Sequence, residues 1–119
     1  MKLRPRSITV ISWIFILFGS LALLSGLPPF AEPSVGQWIA GLKGHWMVHV
    51  SRIAAIVSGV FMLRGHNWAR WLLVVWILFH IVISALHSLV QLLLHAAIFT
   101  VILYFLFRRD ANVYFSSSD

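Results

Sequence analysis

Apolar residues run through this chain in long stretches, and the few polar interruptions set the elements. The first stretch, Ile8–Leu27, carries no charge and lies between the bases Lys2, Arg4 and Arg6 and the pair Pro28-Pro29. It predicts a helix over 8–27, capped by Ser7 and stopped by the prolines. The next segment, Pro28–Lys43, holds three of the four prolines, two glycines and Glu32, and reads as a loop. Within it Val35, Trp38, Ile39 and Leu42 recur at i, i+3, i+4 and i+7. That spacing predicts a short helix lying on a membrane surface with Trp38 as its anchor; a plain loop is the alternative. A second apolar run predicts a helix over 45–63, ended by Arg64-Gly65-His66-Asn67.

From Trp68 to Phe107 there are 40 residues with neither glycine nor proline. A single helix of that length would reach roughly 60 Å, about twice the hydrocarbon thickness of a bilayer. The stretch must fold back. Its most polar point is His87-Ser88-Leu89-Val90-Gln91, so a reversal between about Leu86 and Leu92 divides it into helices over 69–87 and 92–107. Residues 108–119 form a short polar tail in which Tyr114-Phe115 return toward the interface. The expected fold is one all-α domain, a polytopic bundle of four transmembrane helices. A short interfacial helix joins the first two within the loop 28–44.

Composition decides for lipid as the solvent. Hydrophobic residues make up 61% and charged residues 10% of the 119, whereas a soluble domain carries about a quarter charged residues. A soluble core of this length cannot hide so much apolar surface. The net charge of +6 then reads as a topology signal, not as a nucleic-acid footprint. Four spans with the N-terminus inside place Lys2, Arg4, Arg6, Arg64, Arg70, Arg108 and Arg109 on the cytoplasmic side, with Lys43 and Arg52 opposite. Seven bases against two obey the positive-inside rule, and both termini are expected in the cytoplasm, facing anionic lipid. The N-terminus resembles a signal peptide at first sight. Its apolar run exceeds the 7–15 residues of a signal core, and no A-x-A-like site follows, so it is read as a retained span.

The candidate chemistry is histidine-based. His45, His49 and Arg52 share one face of the second helix, and His80, Ser84 and His87 share one face of the third. Gln91 and His95 follow at the start of the fourth. All fall in the outer half of the membrane, where polar side chains turn toward the bundle interior. Neutral imidazole ligates haem iron and other metals. His49, His80, His87 and His95 are therefore candidate ligands for a b-type haem (or a quinone), with Arg52 facing a propionate. His45 and His49, one turn apart, are a candidate metal pair. The plainer alternative is that histidine, serine and glutamine hydrogen-bond across helices as packing contacts. Arg52 needs an anion from Glu32, a lipid phosphate, a cofactor or another protein, or else it snorkels to the outer interface. Ser51, Ala55 and Gly59, and Ala22 with Gly26, form small-residue stripes for close helix contact.

The absences narrow the field. With three acids, none in a predicted span, there is no paired-carboxylate acid–base site, no carboxylate-rich di-iron site and no embedded acid for proton coupling. There is no cysteine for thiol chemistry, no phosphate-binding glycine loop and no serine–histidine–acid set. The histidines do not form the clusters of membrane desaturases.

Three stretches carry a resemblance: Arg4-Pro5-Arg6-Ser7-Ile8-Thr9-Val10, Gly65-His66-Asn67-Trp68-Ala69-Arg70-Trp71-Leu72, and Phe107-Arg108-Arg109-Asp110-Ala111-Asn112-Val113-Tyr114-Phe115. They resemble the opening, the middle inner loop and the closing segment of small four-helix bacterial inner-membrane proteins, a group without an assigned activity. The resemblance implies the same topology and a bacterial inner membrane, and transfers no functional residue. The expected function is non-enzymatic: an accessory, assembly or scaffold subunit of an inner-membrane complex, associating with other membrane subunits or with itself. The alternative is a haem-binding membrane protein.

Overall fold

The computed structural model describes residues 3–25 and 46–117. The expected interfacial helix around Trp38, together with Glu32, Lys43 and His45, lies outside the described residues. Among these there are five helices: α1 (Arg6–Ser25), α2 (Trp46–Leu63), α3 (Asn67–His87), α4 (Leu89–Phe107) and α5 (Arg109–Ser116). The first four are long and apolar enough to cross a membrane.

α1 starts two residues earlier than expected, and Ser7 is not its cap. Pro5 stands directly before the helix and its carbonyl accepts the first helical bond, from Thr9 N–H at 3.2 Å. Proline presets the helical φ and has no N–H to satisfy, so the helix begins at once and Ser7 falls in its first turn. α2 ends where the sequence indicated. Gly65 has φ 84°, His66 N–H bonds to Phe61 O at 3.0 Å, and Gly65 N–H bonds to Met62 O at 3.0 Å. This is a Schellman closure, and it needs a left-handed residue that glycine supplies without strain.

The reversal between α3 and α4 is a single residue. Ser88 is extended (φ −162°, ψ 133°), and α4 begins at Leu89, three residues before the expected start. Extended backbone is open to any residue, so the reversal requires neither glycine nor proline. The Ser88 N–H reaches Ser84 O, and its carbonyl accepts from Leu92 N–H, both at 3.0 Å.

The four long helices alternate in direction, each antiparallel to the next. Gly19 of α1 meets Arg52 and Ile56 of α2, while Gly59 meets Ser12 and Ile16. Trp76 of α3 bonds to Ser51 of α2. Ser84 meets His95, and Arg70 meets Leu106, across the α3–α4 hairpin. This alternation brings Arg4, Arg6, Arg64, Arg70, Arg108 and Arg109 to one end of the bundle, the arginine end. His49, His80, His87 and His95 lie toward the other, the histidine end.

α1 and α2 approach most closely, through reciprocal glycine notches. A Cβ on Gly59 would stand 2.7 Å from Ser12 O and from Ile16 Cγ1; one on Gly19 would stand 2.7 Å from Ile56 Cγ1 and 3.0 Å from Arg52 O. Gly19 was missed in the sequence. On α2, Ala55 and Gly59 of the expected small-residue stripe are buried, but Ser51 turns to Trp76 of α3.

The tail departs most from expectation. Residues 109–116 form α5, with Ala111, Tyr114 and Phe115 buried at i, i+3 and i+4. α5 closes the arginine end. Tyr114 OH donates to Leu63 O at 2.9 Å, and Asn112 Nδ2 donates to Phe107 O at 2.7 Å, so two helix-terminal carbonyls gain partners. Arg70 Nη1 donates to Asn112 Oδ1 at 2.6 Å, with its guanidinium 4.7 Å from the Phe107 ring and 5.1 Å from Phe115.

Candidate functional site

A cavity of about 740 Å³ opens between the four long helices at the histidine end. Its walls are apolar, from Phe15, Phe18, Ile77, Ile98 and Ile102 among others, and its polar lining is Ser51, Arg52, Trp76, His80 and His95. The rim includes Phe18, 65% exposed, and Phe79, 49% exposed, so the cavity communicates with the lateral surface of the bundle.

Trp76 organises the site. Its indole Nε1–H donates to Ser51 O at 2.7 Å and Ser51 Oγ at 2.9 Å, which ties α3 to α2. Phe15 of α1 meets it edge to face, with ring centroids 5.4 Å apart. The His80 ring lies against Trp76 at 4.0 Å between centroids. Sequence reasoning missed Trp76, although a signal was present. It sits mid-span, away from both ends where tryptophan anchors a membrane protein, and a buried indole N–H requires an acceptor.

Each of three histidines has Nδ1 within reach of the carbonyl one turn back: His80 to Trp76 O at 2.9 Å, His87 to Ile83 O at 2.8 Å, and His95 to Gln91 O at 2.7 Å. A carbonyl only accepts, so Nδ1 carries the proton and the lone pair is on Nε2. That tautomer is the one in which Nε2 acts as a ligand or acceptor while the backbone fixes the ring. Ser84 adds a crosslink. Its hydroxyl donates to His80 O at 2.8 Å, and its oxygen lies 3.2 Å from His95 Nδ1, close enough to accept a second branch of that N–H.

Of the candidate residues, the structure brings three together: Arg52, His80 and His95 all line the cavity. Two stand apart. His49 is half-buried on α2 but does not line the cavity, because Val48, Ser51 and Arg52 occupy the turn that faces it. His87 is exposed at the last turn of α3, one turn beyond Ser84. His45 lies outside the described residues. Among the described residues, Arg52 has no hydrogen bond or ion pair.

The donor set bears on the kind of group that fits. No cluster of three or more histidine or acidic side chains is arranged to hold a metal ion among the described residues. A bare metal needing three or four protein ligands is therefore not served by these side chains. A haem asks less of the protein, namely an imidazole or two, an apolar slot and a cation for its carboxylates, and His80, His95, the cavity walls and Arg52 are groups of that chemistry.

Comparison with protein-family models, with curated proteins and with solved structures finds no match.

Proposed function

We propose that this chain is a multi-pass protein of the bacterial inner membrane, with both termini in the cytoplasm, and that it is a non-enzymatic accessory or scaffold subunit of a larger membrane complex. Three features support membrane insertion and its direction. The spans are apolar with little of their surface covered by protein, six arginines gather at one end, and no described span contains an acid. The observation that carries the accessory reading is α4. It is mostly apolar, yet Leu106 is its one buried residue, and Leu93, Leu94, Ile98 and Val101 are exposed, so an apolar face is free for lipid and for a partner helix.

Tagged protein extracted in a mild detergent tests this reading. It should migrate as an assembly larger than the 13.5 kDa chain and carry specific membrane subunits. A homogeneous monomer with no crosslinked neighbour in intact membranes would overturn it. Reporter fusions at Asp119 and at Ser34 should report opposite sides of the membrane; a periplasmic Asp119 would refute the topology.

A second reading has its own observation: two imidazoles, of His80 and His95, line a cavity that Arg52 also lines. In this reading the cavity would take a b-type haem, which His80 and His95 would hold while Arg52 would neutralise a carboxylate of the group. The bound group would supply one-electron redox chemistry at iron. The residues would fix the imidazole tautomers, neutralise the carboxylate and exclude water. An absorbance spectrum of protein purified from haem-replete cells decides it. An intense Soret band, lost or shifted in His80→Ala or His95→Ala, supports haem, and a colourless preparation rejects it.

A further inference from the structure

The arginine end contains a second concavity, of about 580 Å³, that the proposal above does not use. It lies between the N-terminal segment and the start of α5, and Arg4, Arg6, Arg108 and Arg109 all line it, with Asp110 as the one acid among its described lining residues. Three of these groups are engaged within the protein. Arg4 donates from Nε to Thr9 Oγ1 and from Nη1 to Leu63 O, both at 2.9 Å, which fixes its guanidinium in place. Arg108 pairs with Asp110 at 2.6 Å, which cancels the acid. Arg6 and Arg109 are exposed and, among the described residues, have neither a hydrogen bond nor an ion pair.

Other features of the pocket point to the same ligand charge. The N-terminus of α1 and the N-terminus of α5 both border it, so two positive helix ends meet there. Arg108, at the cap position of α5, makes no side-chain capping bond. Ser7, in the first turn of α1, lines the pocket with these arginines. Helix N–H groups without a side-chain cap and free guanidinium forks recognise a tetrahedral oxyanion. The pocket wall also has an apolar part, from Leu3, Pro5 and Val113, and the neighbouring outer faces of α1 and α4 are exposed and apolar at Val10 and Tyr104. A ligand that satisfies both parts has a phosphate head and a hydrocarbon body.

We propose that this pocket is a binding site for the phosphate headgroup of an anionic phospholipid. The lipid's acyl chains run along the outer faces of α1 and α4, and its phosphate bridges Arg6 and Arg109. The site thereby joins the N-terminal segment to α5, two parts of the chain far apart in sequence. This inference rests on the four-span membrane reading.

The test uses the full chain in nanodiscs of mixed phosphatidylcholine and phosphatidylglycerol, followed by extraction into detergent and native mass spectrometry of retained lipid. Wild type should retain phosphatidylglycerol in preference to phosphatidylcholine. Arg6→Gln or Arg109→Gln should each lower that retention about fivefold, the change that about 1 kcal/mol per basic residue makes. The double variant should lower it roughly 25-fold on the same scale. Neither side chain is bonded within the described protein, so both variants should keep wild-type helical circular dichroism. Arg64→Gln is the control. Arg64 lies at the same end, 5.5 Å from the Phe61 ring and outside the pocket, and its loss should leave retention unchanged. Retention that falls equally in Arg64→Gln, or does not fall in the double variant, overturns the proposal. So does displacement of the lipid by free glycerol 3-phosphate at matched concentration, which would identify a soluble phosphate as the occupant. Wild type that never enters the nanodiscs defeats the membrane reading itself. Entry without preference for phosphatidylglycerol defeats only this inference.

Discussion

At the arginine end Ile8, Met62, Leu73, Leu106 and Phe115 are fully buried, each from a different helix, and Tyr114 and Arg70 bond across helix boundaries. Beyond the midpoints of the same helices, only Gly19 and Ser84 are buried among the described residues, and a cavity of about 740 Å³ takes the place of a core. One end therefore holds the bundle together, and the other keeps space and polar groups available. The difference follows from side-chain supply. The arginine end has α5 as a fifth element to close it, while the histidine end has Trp76, His80 and Ser84 bonded to backbone in place of interdigitated aliphatics.

Substitutions can break or sharpen this contrast, through unfolding in detergent followed by circular dichroism. Phe115→Ala should have the largest effect. It empties a fully buried site under α5 and should cost about 3–5 kcal/mol. Gly59→Ala comes next, at about 1–3 kcal/mol, because the added methyl meets the rigid Ser12 carbonyl as well as the more yielding Ile16 side chain. Trp76→Phe removes the indole donor between α3 and α2 and should cost about 1 kcal/mol. His80→Ala should cost least, about 0.5 kcal/mol, because its ring bonds only to the Trp76 carbonyl within α3 itself. Arg52→Leu should leave stability unchanged or improved, since it removes a charge with no partner among the described residues, while lowering assembly or ligand content. Losses at His80 and Arg52 as large as at Phe115 would show that the histidine end is structural and would end the contrast.

The bundle was legible in the sequence where a strong physical constraint acted. A 40-residue apolar run too long for one span was expected to reverse and does so, and the arginines placed together by the expected alternation gather at one end of the bundle. The reversal was located near Ser88 but drawn too wide, because one extended serine suffices and leaves no compositional mark. α5 was read as a tail because its eight residues are polar on average. The Ala111, Tyr114 and Phe115 spacing was its signal, and the burial that makes that face matter comes from contacts with distant α2 and α3. In the site, Arg52, His80 and His95 follow from periodicity alone. His49 and His87 share faces with them, but a helical face is broad, and a neighbour on the same face reaches the cavity only if its own turn is opposite the opening. Trp76 was overlooked because tryptophan was read as an interface residue.

For the proposed membrane topology, the one-residue reversal at Ser88 has a consequence for how the chain would enter a bilayer. From Trp71 to Phe107 no residue carries a formal charge, and the backbone groups of Ser88 are bonded within the hairpin. α3 and α4 can therefore partition together as one unit, with only His87, Ser88 and Gln91 as the polar cargo at the leading tip. In the proposed topology the α1–α2 pair would carry Glu32 and Lys43 across as well. Biogenesis of the two halves should accordingly differ in its dependence on translocation machinery, with the second hairpin the more autonomous.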